Sequence, residues 1–258
     1  MDLNADLGEG YGPWSMGDDA AMLGIVTSAN LACGGHASDP ETMFRTLRLA
    51  AERGIAVGAH PSYPDREGFG RRRLPCQPAE IERFVAAQTG ALIAVAALAG
   101  ARVGYVKPHG ALANVASEDR RVADAIVRAV RAIGGLAVLA ISGTELEHAA
   151  RAAALPVYRE IFADRGYTAA GNLVPRGEPG ALIDDPAAAA ARLLRFVETG
   201  RMATIDGGSV ALGADSVCVH GDSPHAVAMA RTVRAALESA GVLVAPFIIA
   251  GASAARAA

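Results

Sequence analysis

The sequence predicts an α/β fold, a closed or nearly closed barrel of about seven parallel strands built as one domain over residues 1–258. Three observations predict it. Short apolar runs without polar alternation recur along the chain, as strands buried on both faces require. Each run is followed by a helix-patterned stretch, and repeated βα alternation makes a parallel sheet. Six runs end in charged, amide or imidazole side chains, which is how a barrel gathers catalytic groups at the carboxyl ends of its strands. A doubly wound open sheet shares the alternation, so closure rests on the number of units.

Taken in order, the strand-like runs fall at residues 2–6, 25–31, 55–60, 103–107, 136–141, 157–163 and 215–220. Helical stretches lie between them: Pro40 to Arg53, Pro78 to Ala99, Glu118 to Ile133, Thr144 to Ala153, Pro186 to Thr199 and Pro224 to Ala240. Asp39-Pro40, Asp185-Pro186 and Ser223-Pro224 supply a capping side chain followed by proline at the first helical position. Gly54, Gly100 and Gly241 follow helix ends as left-handed caps. The pair Gly207-Gly208, inside an alternating segment from Ala203 to Leu212, predicts a two-residue hairpin turn. Val242 to Ile249 is a weak eighth strand. Residues 61–77 and 164–181 are long and aperiodic, the pattern of site lids or partner surfaces.

Composition narrows the function. The chain is 52% hydrophobic, enough for a large core, and its net charge of −3 leaves no basic stripe for nucleic acid. The first 20 residues hold Asp2, Asp6, Glu9, Asp18 and Asp19 but no Lys or Arg, so no signal or transit segment is expected. Counting the interrupting charges, no run is expected to span a membrane, which makes a cytoplasmic protein the expectation. Cys33, Cys76 and Cys218 are odd in number and widely spaced, so they read as free thiols rather than a disulfide or zinc framework.

The strand ends carry the candidate chemistry. In Tyr105-Val106-Lys107-Pro108-His109-Gly110, proline redirects the chain between a fixed cation and an imidazole that titrates near neutrality. Lys107 can hold an anionic oxygen and His109 can move a proton. Asp6 and Glu9 form an acid pair able to orient water, bind a metal or accept a proton; His60 closes the third run; and His36 follows the flexible Cys33-Gly34-Gly35. Asp6, His36 and His60 make a plausible metal set, although their spacing contains no compact ligand motif. Asn30 is the amide beside them. Glu160, Asp164 and Arg165 lie on or after one run, where a structural bridge is the competing reading. His220 and Asp222 precede a helix whose free amides can hold an anion, with Asp222 otherwise a plain cap. Arg71-Arg72-Arg73 reads as a solvated run or an acid clamp. The chain has no P-loop and no Rossmann glycine fingerprint.

In order, Asp2-Leu3-Asn4-Ala5-Asp6-Leu7-Gly8-Glu9-Gly10, Val26-Thr27-Ser28-Ala29-Asn30-Leu31-Ala32-Cys33-Gly34, Gly58-Ala59-His60-Pro61, Gly68-Phe69-Gly70-Arg71-Arg72, Val106-Lys107-Pro108-His109-Gly110-Ala111-Leu112, Phe162-Ala163-Asp164-Arg165 and Cys218-Val219-His220-Gly221-Asp222 closely resemble the LamB/YcsF family, the A subunits of bacterial ATP-dependent 5-oxoprolinase. The likeness runs from residue 2 to about residue 246. It implies a distorted seven-stranded TIM-like barrel, similar to the glycoside hydrolase and deacetylase superfamily. It also implies an ATP-dependent cyclic amide hydrolase that converts 5-oxoproline, ATP and two waters to glutamate, ADP and phosphate, in a complex with B and C subunits. On that expectation Asp6, His60, Lys107 and His109 are catalytic. Glu9, Asn30, His36, Glu160, Asp164, Arg165, His220 and Asp222 bind substrate, ATP is the co-substrate, and a divalent metal has Asp6, His36 and His60 available. Gly35 and Ala113 stand where the family pattern more often has Phe and an aromatic residue. Two other functions fit the same residues: a metal-dependent amide hydrolase or deacetylase, and a non-catalytic metabolite-binding subunit.

Overall fold

The computed structural model describes residues 1–221 and 225–248. Seven parallel strands close a barrel in sequence order: β1 (Asp2–Leu7), β2 (Ser28–Ala32), β3 (Ala56–His60), β4 (Val103–Val106), β5 (Ala137–Ile141), β6 (Val157–Phe162) and β9 (Ser216–Val219), with β9 returning to β1. The intervening β7 (Arg201–Ala203) and β8 (Ser209–Ala211) pair antiparallel outside the barrel. The helices are α1 (Asp19–Met22), α2 (Pro40–Glu52), α3 (Pro78–Ala99), α4 (Gly110–Glu118), α5 (Arg120–Ile133), α6 (Glu145–Ala152), α7 (Pro186–Thr199) and α8 (Ala226–Ser239).

Side-chain alternation on β1 explains how apolar runs can serve a polar site. Leu3, Ala5 and Leu7 join the core between the barrel and the helices. Asp2, Asn4 and Asp6 take the opposite face and project into the lumen. There Asp2 accepts from Thr27, Ser28 and Ser216, while Asn4 donates to Ser216 at 2.7 Å and accepts from Asn30 at 2.6 Å. Tyr105 crosses the lumen to donate to Asn30 at 2.7 Å. It can do so because β3 carries glycine opposite, where an added Cβ at Gly58 would lie 2.1 Å from the Tyr105 ring. The column is polar yet satisfied, as buried polarity must be.

Apolar residues seal the other end. Ala56, Tyr105, Ala137, Leu139 and Ile248 cluster there, with Phe247 packing on Tyr105 and Tyr158. The stretch expected as an eighth strand therefore serves as a plug, and no strand is found over its described residues, 242–248. Two other expectations change. The β7–β8 connection spans residues 204–208 rather than two residues, because Thr204 and Asp206 close the turn through their side chains. The helix expected from Glu118 is α5, beginning at Arg120, and an unexpected helix, α4, precedes it; Asp119 ends α4 and caps α5 by accepting from the Arg121 amide. Asp222, Ser223 and Pro224 lie outside the described residues.

Among the described residues, α3 is long and apolar enough to cross a membrane, contrary to the sequence expectation. It is used as a barrel helix. Ile81, Val85, Thr89, Leu92 and Ala96, spaced by three or four residues, form its buried face.

Candidate active site

The mouth at the carboxyl ends of the strands opens into a cavity of about 260 Å³ lined by Asp6, His60, Lys107, His109, Glu160 and His220. It lies just below the roughly 300–1,000 Å³ of pockets for drug-sized ligands, and so suits a small metabolite. These side chains come from β1, β3, the β4–α4 junction, β6 and the end of β9, the convergence a parallel barrel provides.

Lys107 occupies the centre of one side. Its Nζ lies 2.8 Å from Asp6 Oδ1, 2.8 Å from Glu160 Oε1, 3.1 Å from Cys218 Sγ and 3.4 Å from Asn4 Oδ1. Burial disfavours the ammonium, yet its negative neighbours, Asp6 first, outweigh it and raise the Lys107 pKa well above its ordinary value. Asp6 moves the other way. Burial would raise it, but His60 and Lys107 hold it well below the usual carboxylate range. Its Oδ1 takes Lys107 and Asn30, which turns Oδ2 toward His60 at 3.4 Å. Burial raises the Glu160 pKa and outweighs the charge of Lys107, which lies 2.8 Å away and pulls it down. Burial also pushes the Cys218 thiol up, which makes it a protonated neighbour rather than a nucleophile.

The imidazoles occupy the other side. His60 Nδ1 donates to the Lys107 carbonyl at 2.7 Å, and His109 Nε2 donates to the Phe69 carbonyl at 2.9 Å. A carbonyl can only accept, so both tautomers are set and the remaining nitrogens, His60 Nε2 and His109 Nδ1, meet at 3.1 Å. His36 stacks on His109 with centroids 3.7 Å apart, and its Nε2 lies 3.1 Å from Glu9 Oε1. Burial, then the neighbouring rings, hold His36 and His109 well below their ordinary pKa. Backbone strain supports the arrangement. Phe69, which supplies the carbonyl to His109, sits at φ +53°. Beside it a Cβ at Gly70 would stand 2.9 Å from both His109 and His36.

The sequence-derived candidates divide accordingly. Asp6, Glu9, Asn30, His36, His60, Lys107, His109 and Glu160 converge. The proposed metal set changes membership, because His109 joins Asp6 and His60 in one group that could hold a metal and Glu9 and His36 in another. Asp164 accepts from His220 at 2.7 Å, and this pairing lowers the Asp164 pKa against its burial. Arg165 lines the cavity but is also tied into its own loop. Its guanidinium donates to the carbonyls of Ala181 and Val174, clipping its own loop, and burial lowers its pKa to about 10. Gly35 is covered by Gln88 and Ser62 and does not line the cavity, whereas Ala113 does. Asn4, Cys218 and Arg176 were missed. The alternation of β1 could have found Asn4, but nothing local marks Arg176, which reaches the wall from an aperiodic loop.

The likeness to known proteins covers nearly the whole chain. A model of the LamB/YcsF family matches residues 1–250. A relative from Pseudomonas syringae pv. tomato, named as the third 5-oxoprolinase A subunit of that organism, is 52% identical over 96% of this chain and 97% of its own. The 5-oxoprolinase A subunit of Nocardia farcinica is 54% identical over 96% and 99%. The crystal structure of a lactam utilization protein from Thermus thermophilus is 47% identical over 95% and 98%, with a TM-score of 0.89.

Proposed function

The chain belongs to the LamB/YcsF family, and on that premise we propose that it is the ring-opening subunit of an ATP-dependent 5-oxoprolinase. The observation that carries this is the mouth itself: buried acid and imidazole groups converge on a cavity small enough for a five-membered lactam. The curated relatives are named as A subunits, which supports assembly with other subunits, here taken as B and C.

Opening the lactam requires attack on a resonance-stabilised amide. Phosphorylation of its oxygen by ATP removes that resonance and leaves an electrophilic carbon. Asp6 Oδ2 or an imidazole nitrogen of His60 or His109 then accepts a proton from the attacking water, the ring nitrogen takes a proton as its bond to that carbon breaks, and a second water hydrolyses the acyl phosphate so formed to glutamate and phosphate. Lys107 holds Asp6 in register beside the phosphorylated oxygen. Arg176 has no hydrogen-bond partner among the described residues and offers its guanidinium to the substrate carboxylate. With no P-loop in the chain, the nucleotide is expected at an interface between subunits.

Glutamate release from 5-oxoproline by the chain mixed with its B and C partners, with ATP present or omitted and each component left out in turn, tests the assignment. Activity needing ATP and every component supports it. The groups that could hold a metal favour a rival reading, an amide hydrolase independent of nucleotide. Release without ATP would select that rival.

A further inference from the structure

We propose that His60, His109 and Asp6, with Glu9 at the rim, form a site for a first-row transition-metal dication. The argument begins with the tautomers. Because both outer nitrogens are committed to backbone carbonyls, His60 Nε2 and His109 Nδ1 are left facing each other across 3.1 Å. Two ring nitrogens that close need a proton or a metal ion between them.

The surroundings favour a metal ion. Asp6 Oδ2 stands 3.4 Å from His60 Nε2, and Glu9 Oε1 stands 3.7 Å from His109 Nδ1. A tetrahedral ion with bonds of about 2.0–2.1 Å to nitrogen and oxygen keeps its ligand atoms about 3.3–3.4 Å apart. The His60–His109 and Asp6–His60 separations match that spacing, and the ligand atoms of Asp6, His60 and His109 all lie within 4.8 Å of one another, whereas Glu9 groups with His109 and His36. The outer contacts are also those of a metal site, in which each ligating imidazole donates its second N–H to a fixed acceptor. Lys107 and Asn30 hold Asp6 Oδ1 and so turn Oδ2 inward. His36 braces Glu9 from the far side, and its own Nδ1 is buried without a hydrogen-bond partner. Mixed imidazole and carboxylate donors suit Zn²⁺, Co²⁺ or Mn²⁺ better than Mg²⁺ or Ca²⁺, which take oxygen.

The test titrates Co²⁺ into the chelator-treated, full-length chain and follows its visible absorption, without nucleotide, substrate or partner. One equivalent is expected to bind, to be displaced by Zn²⁺ and to resist Mg²⁺. His109→Ala and Asp6→Asn should each weaken binding at least ~100-fold, and His36→Ala roughly tenfold through Glu9. His148→Ala, on the surface, should change nothing. Circular dichroism and thermal melts establish that each variant is folded. Wild-type chain that is folded yet takes up under about a tenth of an equivalent would overturn the site, as would uptake indifferent to His60→Ala and His109→Ala. Either result leaves ATP-dependent ring opening standing, because that is read from glutamate release.

Discussion

On one side of the mouth Lys107 is surrounded by Asp6, Glu160, Asn4 and Cys218, and its charge is answered from every direction. On the other side three imidazoles are crowded together, two of them tied to backbone carbonyls, and the inner nitrogens of those two face each other at 3.1 Å. The first arrangement is internally paired and holds groups in place. The second is under-satisfied, and an incoming proton or cation completes it. Burial is nearly equal on the two sides, so burial alone does not distinguish positioning machinery from reacting groups. Partner saturation does.

Removing the cation from the paired side should have the largest effect. Lys107→Met leaves two carboxylates buried without a counter-charge, and loss of one partner of a buried ion pair costs about 3–5 kcal/mol. Urea unfolding should show that loss, and turnover of the assembled complex should fall at least ~100-fold. A variant as stable as the wild type would mean that Asp6 and Glu160 find other partners.

The contrast can be sharpened beneath the site. Gly58→Ala places a Cβ against the Tyr105 ring that reaches Asn30, and such overpacking costs typically about 1–3 kcal/mol. Because Asn30 also donates to Asp6, activity should fall with stability rather than independently of it.

The smallest effect lies at the edge. Asp39 caps α2 through the Glu41 and Thr42 amides and also accepts from the Gly12 amide, which lowers its pKa to about 2. Asp39→Ala should cost about 1 kcal/mol and leave turnover within about twofold. The folded pKa lies below the ordinary 3.8, so the contribution is complete above about pH 4 and is lost as pH falls through about 2. Acid titration of wild type and variant by circular dichroism should converge there.

The barrel was legible because parallel strands buried on both faces read as plain apolar runs, and Asp39-Pro40 and Asp185-Pro186 mark where helices begin. The site was legible in its members more than in its grouping. Asp6, His36, His60, Lys107 and His109 stand at strand ends or in the following loops, where topology makes them converge. That His109 rather than His36 stands beside both Asp6 and His60 depends on the Phe69 carbonyl and the turn at Gly70, 40 residues from His109 in sequence and invisible to spacing. Arg165 lines the cavity, but its bonds to Ala181 and Val174 exist only after the loop folds back and could not be read from spacing. Helix α4 was missed since its start, Pro108-His109-Gly110, carries turn residues rather than a capping signal.

The most direct test of catalysis at this mouth is ATP-dependent glutamate release by the complete complex carrying His60→Ala or His109→Ala, with assembly checked by gel filtration. Each variant loses one carbonyl-anchored imidazole and should assemble normally, yet its turnover should fall about 10²–10⁴-fold. Turnover within about threefold of the wild type for both variants would contradict the account and make the chain a holder of metabolite for chemistry performed elsewhere in the complex.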